Sequence, residues 1–260
     1  ALSSFTAGVL QEAQMKKTIR LILASALSLF MVNATVAAEV KVAVGLALPP
    51  YIIEESNNGI EVDILRQSLL YSGNTVKLVF LPFVRVPWSI GVGHADAALT
   101  VNESSAVKDV CYSDSHISYQ NVAVSLKSRN IKVTSLADLS NLSVVAFQNA
   151  TTYMGADFAA MARNNGKYVE FAHQDGQVKM LFSMRADVVI IDINIFKYLR
   201  QQLQAMGDNV SAEVAIHEIF APTPYRVAFK SKALCDAFND GLKKLKSDGK
   251  YNAIVEKYIK

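Results

Sequence analysis

The chain has 260 residues, 51% of them hydrophobic, with 26 Lys and Arg against 23 Asp and Glu. That length holds one or two domains with a sizeable core. The near balance of charge excludes the strongly basic or acidic surface that nucleic acid or an anionic membrane would call for as a partner.

Much of the hydrophobic excess sits at the front. Met15-Lys16-Lys17-Thr18-Ile19-Arg20 is basic, Leu21 to Val32 is apolar, and Val36-Ala37-Ala38 offers small residues before Glu39. This order predicts a secretory signal peptide over 15–38, cleaved on export to the periplasm. The apolar run is short for a membrane span. No cysteine stands at the cleavage point, so a lipid anchor is not expected. Residues 1–14 precede Met15 and are set apart as an upstream segment. Without the leader's Lys16, Lys17 and Arg20, the chain is almost neutral.

Glu39 to Leu46 is rich in valine and alanine and predicts a first strand, which Pro49-Pro50 ends. Apolar residues at Ile60, Ile64, Leu65 and Leu69 predict a helix over 60–71. Val76 to Leu81 reads as a strand, Trp88 to Val92 as a short helix after Pro87, and Asp96 to Thr100 as a strand. This β-α-β-α-β order predicts a parallel sheet. Asn121 to Ser125 is extended without a helix beside it. A second unit follows: strand 142–147, helix 152–164, strand 168–171, helix 175–184 and strand 188–191. Strands over 214–220 and 225–229 and helices over 233–246 and 251–259 close the chain. The stripe Leu234, Phe238, Leu242, Leu245 in that tail must bury against something.

Val188-Val189-Ile190-Ile191 predicts a fully buried strand that ends on Asp192. Ligands of open α/β sheets lie beyond the carboxyl ends of strands. Asp192 can therefore contact a ligand, cap the helix that begins at Ile193, or do both with its two oxygens. Cys111 and Cys235 could pair in an oxidising compartment or pack as two thiols, and both readings stay open. His94, His116, His173 and His217 lack metal-ligand spacing, so neither metal nor cofactor is expected. Asn-x-Ser/Thr triplets at Asn102, Asn141, Asn149 and Asn209 are of the kind that arises by chance.

Several short stretches share one pattern. They are Pro49-Pro50-Tyr51, Gly59-Ile60-Glu61-Val62-Asp63, Gly93-His94-Ala95-Asp96-Ala97, Tyr112-Ser113, Leu136-Ala137-Asp138-Leu139, Val145 to Thr152, Arg185 to Asp192, and Leu245 to Tyr251 with Tyr258. Together they resemble the bacterial extracellular solute-binding proteins of family 3, which serve polar amino acid uptake, across nearly all of 39–260. Met184 replaces the glycine that precedes the family's Arg-x-Asp. The resemblance implies an α/β, type II two-lobed periplasmic binding protein fold. Lobe one would be 39–121 with 226–260, lobe two 126–222, and the hinge 122–125 and 223–225. It also implies a ligand in the cleft, met by Tyr51 (packing), Thr100 (hydrogen bond), Thr151 and Thr152 (helix start) and Asp192 (acceptor for an ammonium).

One departure matters. Family members that bind amino acids carry an arginine five residues after that threonine, bidentate to the ligand carboxylate. Ser105 stands there, and a serine cannot replace a guanidinium. Arg85, in a Pro-x-x-Arg seen in divergent relatives, is the nearest alternative and could equally be a solvated side chain.

The expected function is a monomeric periplasmic receptor that takes a small polar or amino acid-like solute for a membrane ABC permease or a sensor. It is not expected to be an enzyme. Two alternatives stand beside it. A cyclohexadienyl dehydratase-like enzyme on the same scaffold would need a general acid, with Glu61 and Glu103, both placed where solvated residues are common, as the candidates. An interaction protein without a tight small ligand would explain the missing arginine.

Overall fold

A computed structural model of the chain describes residues 38–46 and 48–259. Except for Ala38, the upstream segment and the expected leader lie outside the described residues.

Alternation decides the first sheet. In β1 (Glu39–Gly45), Val42 and Val44 point to one face and Ala43 to the other, and all three are fully buried. β1 lies between β2 (Thr75–Leu81) and β3 (Ala97–Val101), parallel to both. The chain's last strand, β11 (Thr223–Phe229), joins β3 antiparallel and carries β4 (Cys111–Tyr112) and β5 (Ile117–Tyr119). The sheet is thus mixed, where sequence predicts a parallel one.

One face of it takes α1 (Ile60–Leu70), α7 (Lys232–Ser247) and α8 (Lys250–Tyr258). The tail stripe is buried there through Phe238, Leu242 and Leu245. Small alanines on the other face, Ala43, Ala98 and Ala228, receive Val86 and Ile90 around the short α2 (Trp88–Gly91).

The second sheet has the order β10-β6-β9-β7-β8. Its strands are β6 (Asn121–Leu126), β7 (Val144–Phe147), β8 (Tyr168–Phe171), β9 (Val188–Asp192) and β10 (Val214–His217). β7, β8 and β9 run parallel, and β6 runs antiparallel to β9. Val145, Val189 and Ile191 face α5 (Gln174–Phe182) and α6 (Ile193–Ala205). Val144, Val188 and Ile190 face α4 (Ala156–Asn164). A buried strand needs both coverings, which is why β9 is apolar throughout until Asp192.

The helix predicted over 152–164 is two helices, α3 (Ala150–Tyr153) and α4. They part at Gly155, whose φ of 89° suits glycine and not the alanines around it.

Two contacts fasten the tail. Cys111 of β4 and Cys235 of α7 are joined by a disulfide with Cα atoms 6.1 Å apart, 124 residues apart in sequence. Closing so long a loop in the unfolded chain is worth about 5 kcal/mol in chain-entropy terms. Gly241 of α7 lies against the α1 backbone so closely that a Cβ there would stand 1.9 Å from the Ser68 carbonyl oxygen. Gly241→Ala must push the helices apart. We expect a loss of about 2 kcal/mol or more in urea unfolding, with the disulfide intact; an unchanged midpoint would show that the two helices are not in this contact.

Candidate functional site

The end of β9 brings the lobes together. Asp192 is 3% exposed. Its Oδ1 accepts from the backbone N–H groups of Asn194 (2.9 Å) and Ile195 (3.1 Å), which caps α6. The same oxygen accepts from the Tyr51 hydroxyl at 2.8 Å, a bond that reaches from one sheet's lobe to the other. Oδ2 accepts from the Gln120 N–H at 2.8 Å. Capping and a second contact thus coexist. Burial pushes the Asp192 carboxyl upward and these four donors pull it back, leaving it raised. No lysine or arginine among the described residues pairs with it.

Tyr51 follows the cis Pro49–Pro50 bond and is fully buried. Burial, then the Asp192 charge, holds its hydroxyl well above the usual tyrosine range, so it stays a donor. It also accepts from Asn194 Nδ2 at 3.0 Å. Its ring stacks on Tyr119 with centroids 4.1 Å apart, and Tyr119 in turn meets Tyr225 at 4.7 Å. Burial, then the charge of Glu61, pushes the Tyr225 hydroxyl upward.

Behind this aromatic wall lies Glu61, in the first turn of α1. Sequence places it among residues that are commonly solvated; it is fully buried. Oε2 accepts from Thr100 Oγ1 at 2.9 Å and lies 2.7 Å from His116 Nε2, and Oε1 accepts from the Tyr119 hydroxyl. His116 is fully buried with its Nδ1 unpartnered.

Thr100 reaches Glu61 because β3 bulges. Arg226 opposes Val101 and Ala228 opposes Ala98, so β3 has one residue more than β11 over this stretch. Thr100 has a φ of 58°, a left-handed conformation that costs a β-branched residue about 1–3 kcal/mol. The bulge turns its hydroxyl inward.

Thr151 has a comparable partner in the second lobe. Asn149, left-handed at φ 63°, points its N–H with that of Thr151 at Glu170 of β8. Glu170 accepts from Asn149 N (2.7 Å), Thr151 N (3.0 Å), Thr151 Oγ1 (3.0 Å) and the Tyr168 hydroxyl (2.9 Å). Burial raises its carboxyl, and the hydrogen bonds outweigh that, so it is lowered overall.

Arg85 and Thr152 stand apart from this cluster. Arg85 ends the turn Phe83–Arg85 and is exposed; its N–H is given to the Pro82 carbonyl, and its side chain has no hydrogen bond or ion pair among the described residues. Thr152 is exposed, its N–H given to the Asn149 carbonyl. Glu103, the other acid considered for an enzyme, pairs with Arg226 at 2.8 Å near the surface. Among the described residues no group of three His, Cys, Asp or Glu could hold a metal ion.

A model of the bacterial extracellular solute-binding proteins, family 3, matches residues 40–260. The chain belongs to that family. Solved structures agree with the two-lobed fold of family 3. An ancestral cationic amino acid solute-binding protein shares 20% identity at a TM-score of 0.67, covering 86% of this chain and 96% of its own. The GluR0 ligand-binding core in complex with L-glutamate shares 17% at 0.66, covering 86% and 100%. Substrate-binding domain 2 of Lactococcus lactis GlnP, in its open conformation, shares 22% at 0.62, covering 85% and 95%. At these identities the likeness establishes the fold.

Within that fold, Glu61, His116, Tyr119, Gln120, Asn194 and Glu170 surround the predicted residues, and sequence analysis assigned none of them a place in the binding site. Glu61 was visible only as a possible acid. Glu61→Gln would place an amide where a carboxylate now receives two hydroxyls and faces an imidazole. We expect it to lower the free energy of unfolding by about 3 kcal/mol in chemical denaturation; a change within error would mean the carboxylate is not paired in solution.

Proposed function

We propose that this chain is an exported receptor that captures a small amine-bearing solute between its lobes and presents it to a membrane ABC permease or a sensor. The observation that carries the proposal is Asp192. It is a buried carboxylate at the contact of the two lobes, held by neutral donors and left without a cation. A ligand ammonium would supply the missing charge, and desolvated charged hydrogen bonds are the strong ones. Tyr51 would then release Asp192 Oδ1 and lie against the ligand as a flat, amphipathic wall.

The lobes would close over the ligand by hinge motion. The chain crosses between sheets at Gln120 and at 218–222, because 121–126 and 223–229 are already paired strands. Gln120 Nε2 donates to the Phe220 carbonyl at 2.8 Å, so one side chain couples both crossings while its N–H holds Asp192. We place the hinge there. Thr100 and Thr151 would shape the cleft through Glu61 and Glu170.

A thermal-shift series with amino acids, polyamines, organic acids and short peptides tests this reading. A solute that binds the folded state at about a hundred times its Kd adds about 2.7 kcal/mol of apparent stability. We expect that shift for amine-bearing compounds, and we expect Asp192→Ala to abolish it. The substitution also removes a helix cap, worth about 1 kcal/mol, so the comparison is made against the unliganded variant. A flat response across all four classes would instead support an interaction protein with no tight small ligand.

A further inference from the structure

We infer that the ligand is an organic cation without a carboxylate, an amine and not a zwitterionic amino acid. The inference rests on the proposed amine site at Asp192 and narrows its substrate class.

A ligand carboxylate needs donors, and those at Thr100 and at the Asn149–Thr151 turn are already given to carboxylates of the protein. In the first lobe, the Thr100 hydroxyl is given to Glu61. The guanidinium nearest along the sheet belongs to Arg226, which opposes Val101 in register. It is ion-paired with Glu103 and donates from Nη1 to the Ser113 carbonyl at 2.7 Å. In the second lobe, the Asn149 and Thr151 N–H groups and the Thr151 hydroxyl converge on Glu170. This is the arrangement that a bound anion would otherwise receive from a left-handed turn entering a helix. Glu170 fills it from within.

Asp192 is buried, and no lysine or arginine among the described residues pairs with it. Tyr51, Tyr119 and Tyr225 form a contiguous, largely buried aromatic cluster behind the Tyr51–Asp192 bond. Tyrosine faces beside a carboxylate attract an ammonium through the ring quadrupole as well as through charge. The same surroundings would repel a ligand carboxylate, which would have to be desolvated beside Asp192. Specificity of this kind comes from what the site penalises as much as from what it attracts.

Matched pairs of compounds separate the two ideas. Agmatine and arginine differ by the carboxylate, as do cadaverine and lysine. Isothermal titration of the disulfide-intact protein, with all four at one pH and ionic strength, should show agmatine or cadaverine binding at least about tenfold more tightly than its parent amino acid. Asp192→Asn keeps the helix cap and removes the charge, and it should lose that binding. If arginine or lysine binds as well as its decarboxylated partner, the present inference is overturned while the amine site at Asp192 stands; exposed Arg85 would then be the group to examine for the carboxylate. Should none of the four bind, the amine site itself is wrong, and the inference falls with it. Undiminished agmatine or cadaverine binding by Asp192→Asn would equally remove Asp192 from the site.

Discussion

A carboxylate buried without a counter-ion is the constraint on which this molecule is arranged. Asp192 stands at the last position of a strand that is apolar on both faces, so it enters the interior with its charge. Burial of an isolated carboxylate is prohibitive unless donors surround it. Here the donors come from three parts of the chain: the start of α6, the first crossing at Gln120, and Tyr51 of the other lobe. Two of these belong to the carboxylate's own lobe or its hinge and can move with it. The bond from Tyr51 cannot. Opening at the proposed hinge would exchange both bonds of the Tyr51 hydroxyl, to Asp192 and from Asn194 Nδ2, for water, while the cap and the Gln120 contact stay formed. That is a small change in hydrogen bonding for a large change in access, and it puts the mechanical coupling at the residue proposed to meet the ligand.

The position of Tyr51 depends in turn on Glu61. Tyr51 stacks on Tyr119, Tyr119 donates to Glu61, and Glu61 is fixed by Thr100 and His116. Thr100 adopts its strained conformation because the β3 bulge turns it toward this carboxylate. Strain at one residue is tolerated where surrounding structure over-determines it. A buried network of this sort is rigid only when its members are satisfied. The unpartnered His116 Nδ1 is the one gap in it. The first lobe thus presents a stiff aromatic wall, and the second lobe meets it through Asp192 and Asn194.

Much of the fold could be seen in the chain because it follows from short-range pattern. The apolar run 188–191, the spacing of Ile60, Ile64, Leu65 and Leu69, and the tail stripe each specify a local element and the face it buries. Asp192 was legible for the same reason: the end of a buried strand followed by a helix allows a cap and a cleft contact together. What the chain did not show is pairing over distance. Glu61 looks like any first-turn acid until His116, Thr100 and Tyr119, 39 to 58 residues away, are folded onto it. Glu170 sits in an edge strand, and nothing local marks it as the acceptor for Asn149 and Thr151. Cys111 and Cys235 could be joined only once α7 was placed against β4. The break at Gly155 was missed because the apolar period runs through it.

These distant pairings decide the chemistry of the cleft more than the fold does. Two lobes, two crossings and an acidic residue after the buried strand of lobe two are compatible with many ligands, since fold does not fix function. The absence of an arginine at position 105 alone could be compensated by another cation reaching the same space. Arg226, which opposes Val101 across the sheet, is held by Glu103 and the Ser113 carbonyl. In the second lobe the compensation runs the opposite way, because Glu170 brings a further negative charge into the turn that could have held an anion. One such feature would be a local accident, but an absent guanidinium, a paired one and a carboxylate held in the α3 turn all shift the potential of the cleft in the same direction. The consistency of these three features is the physical argument for a cationic ligand, and the two that are contacts join residues far apart in the chain.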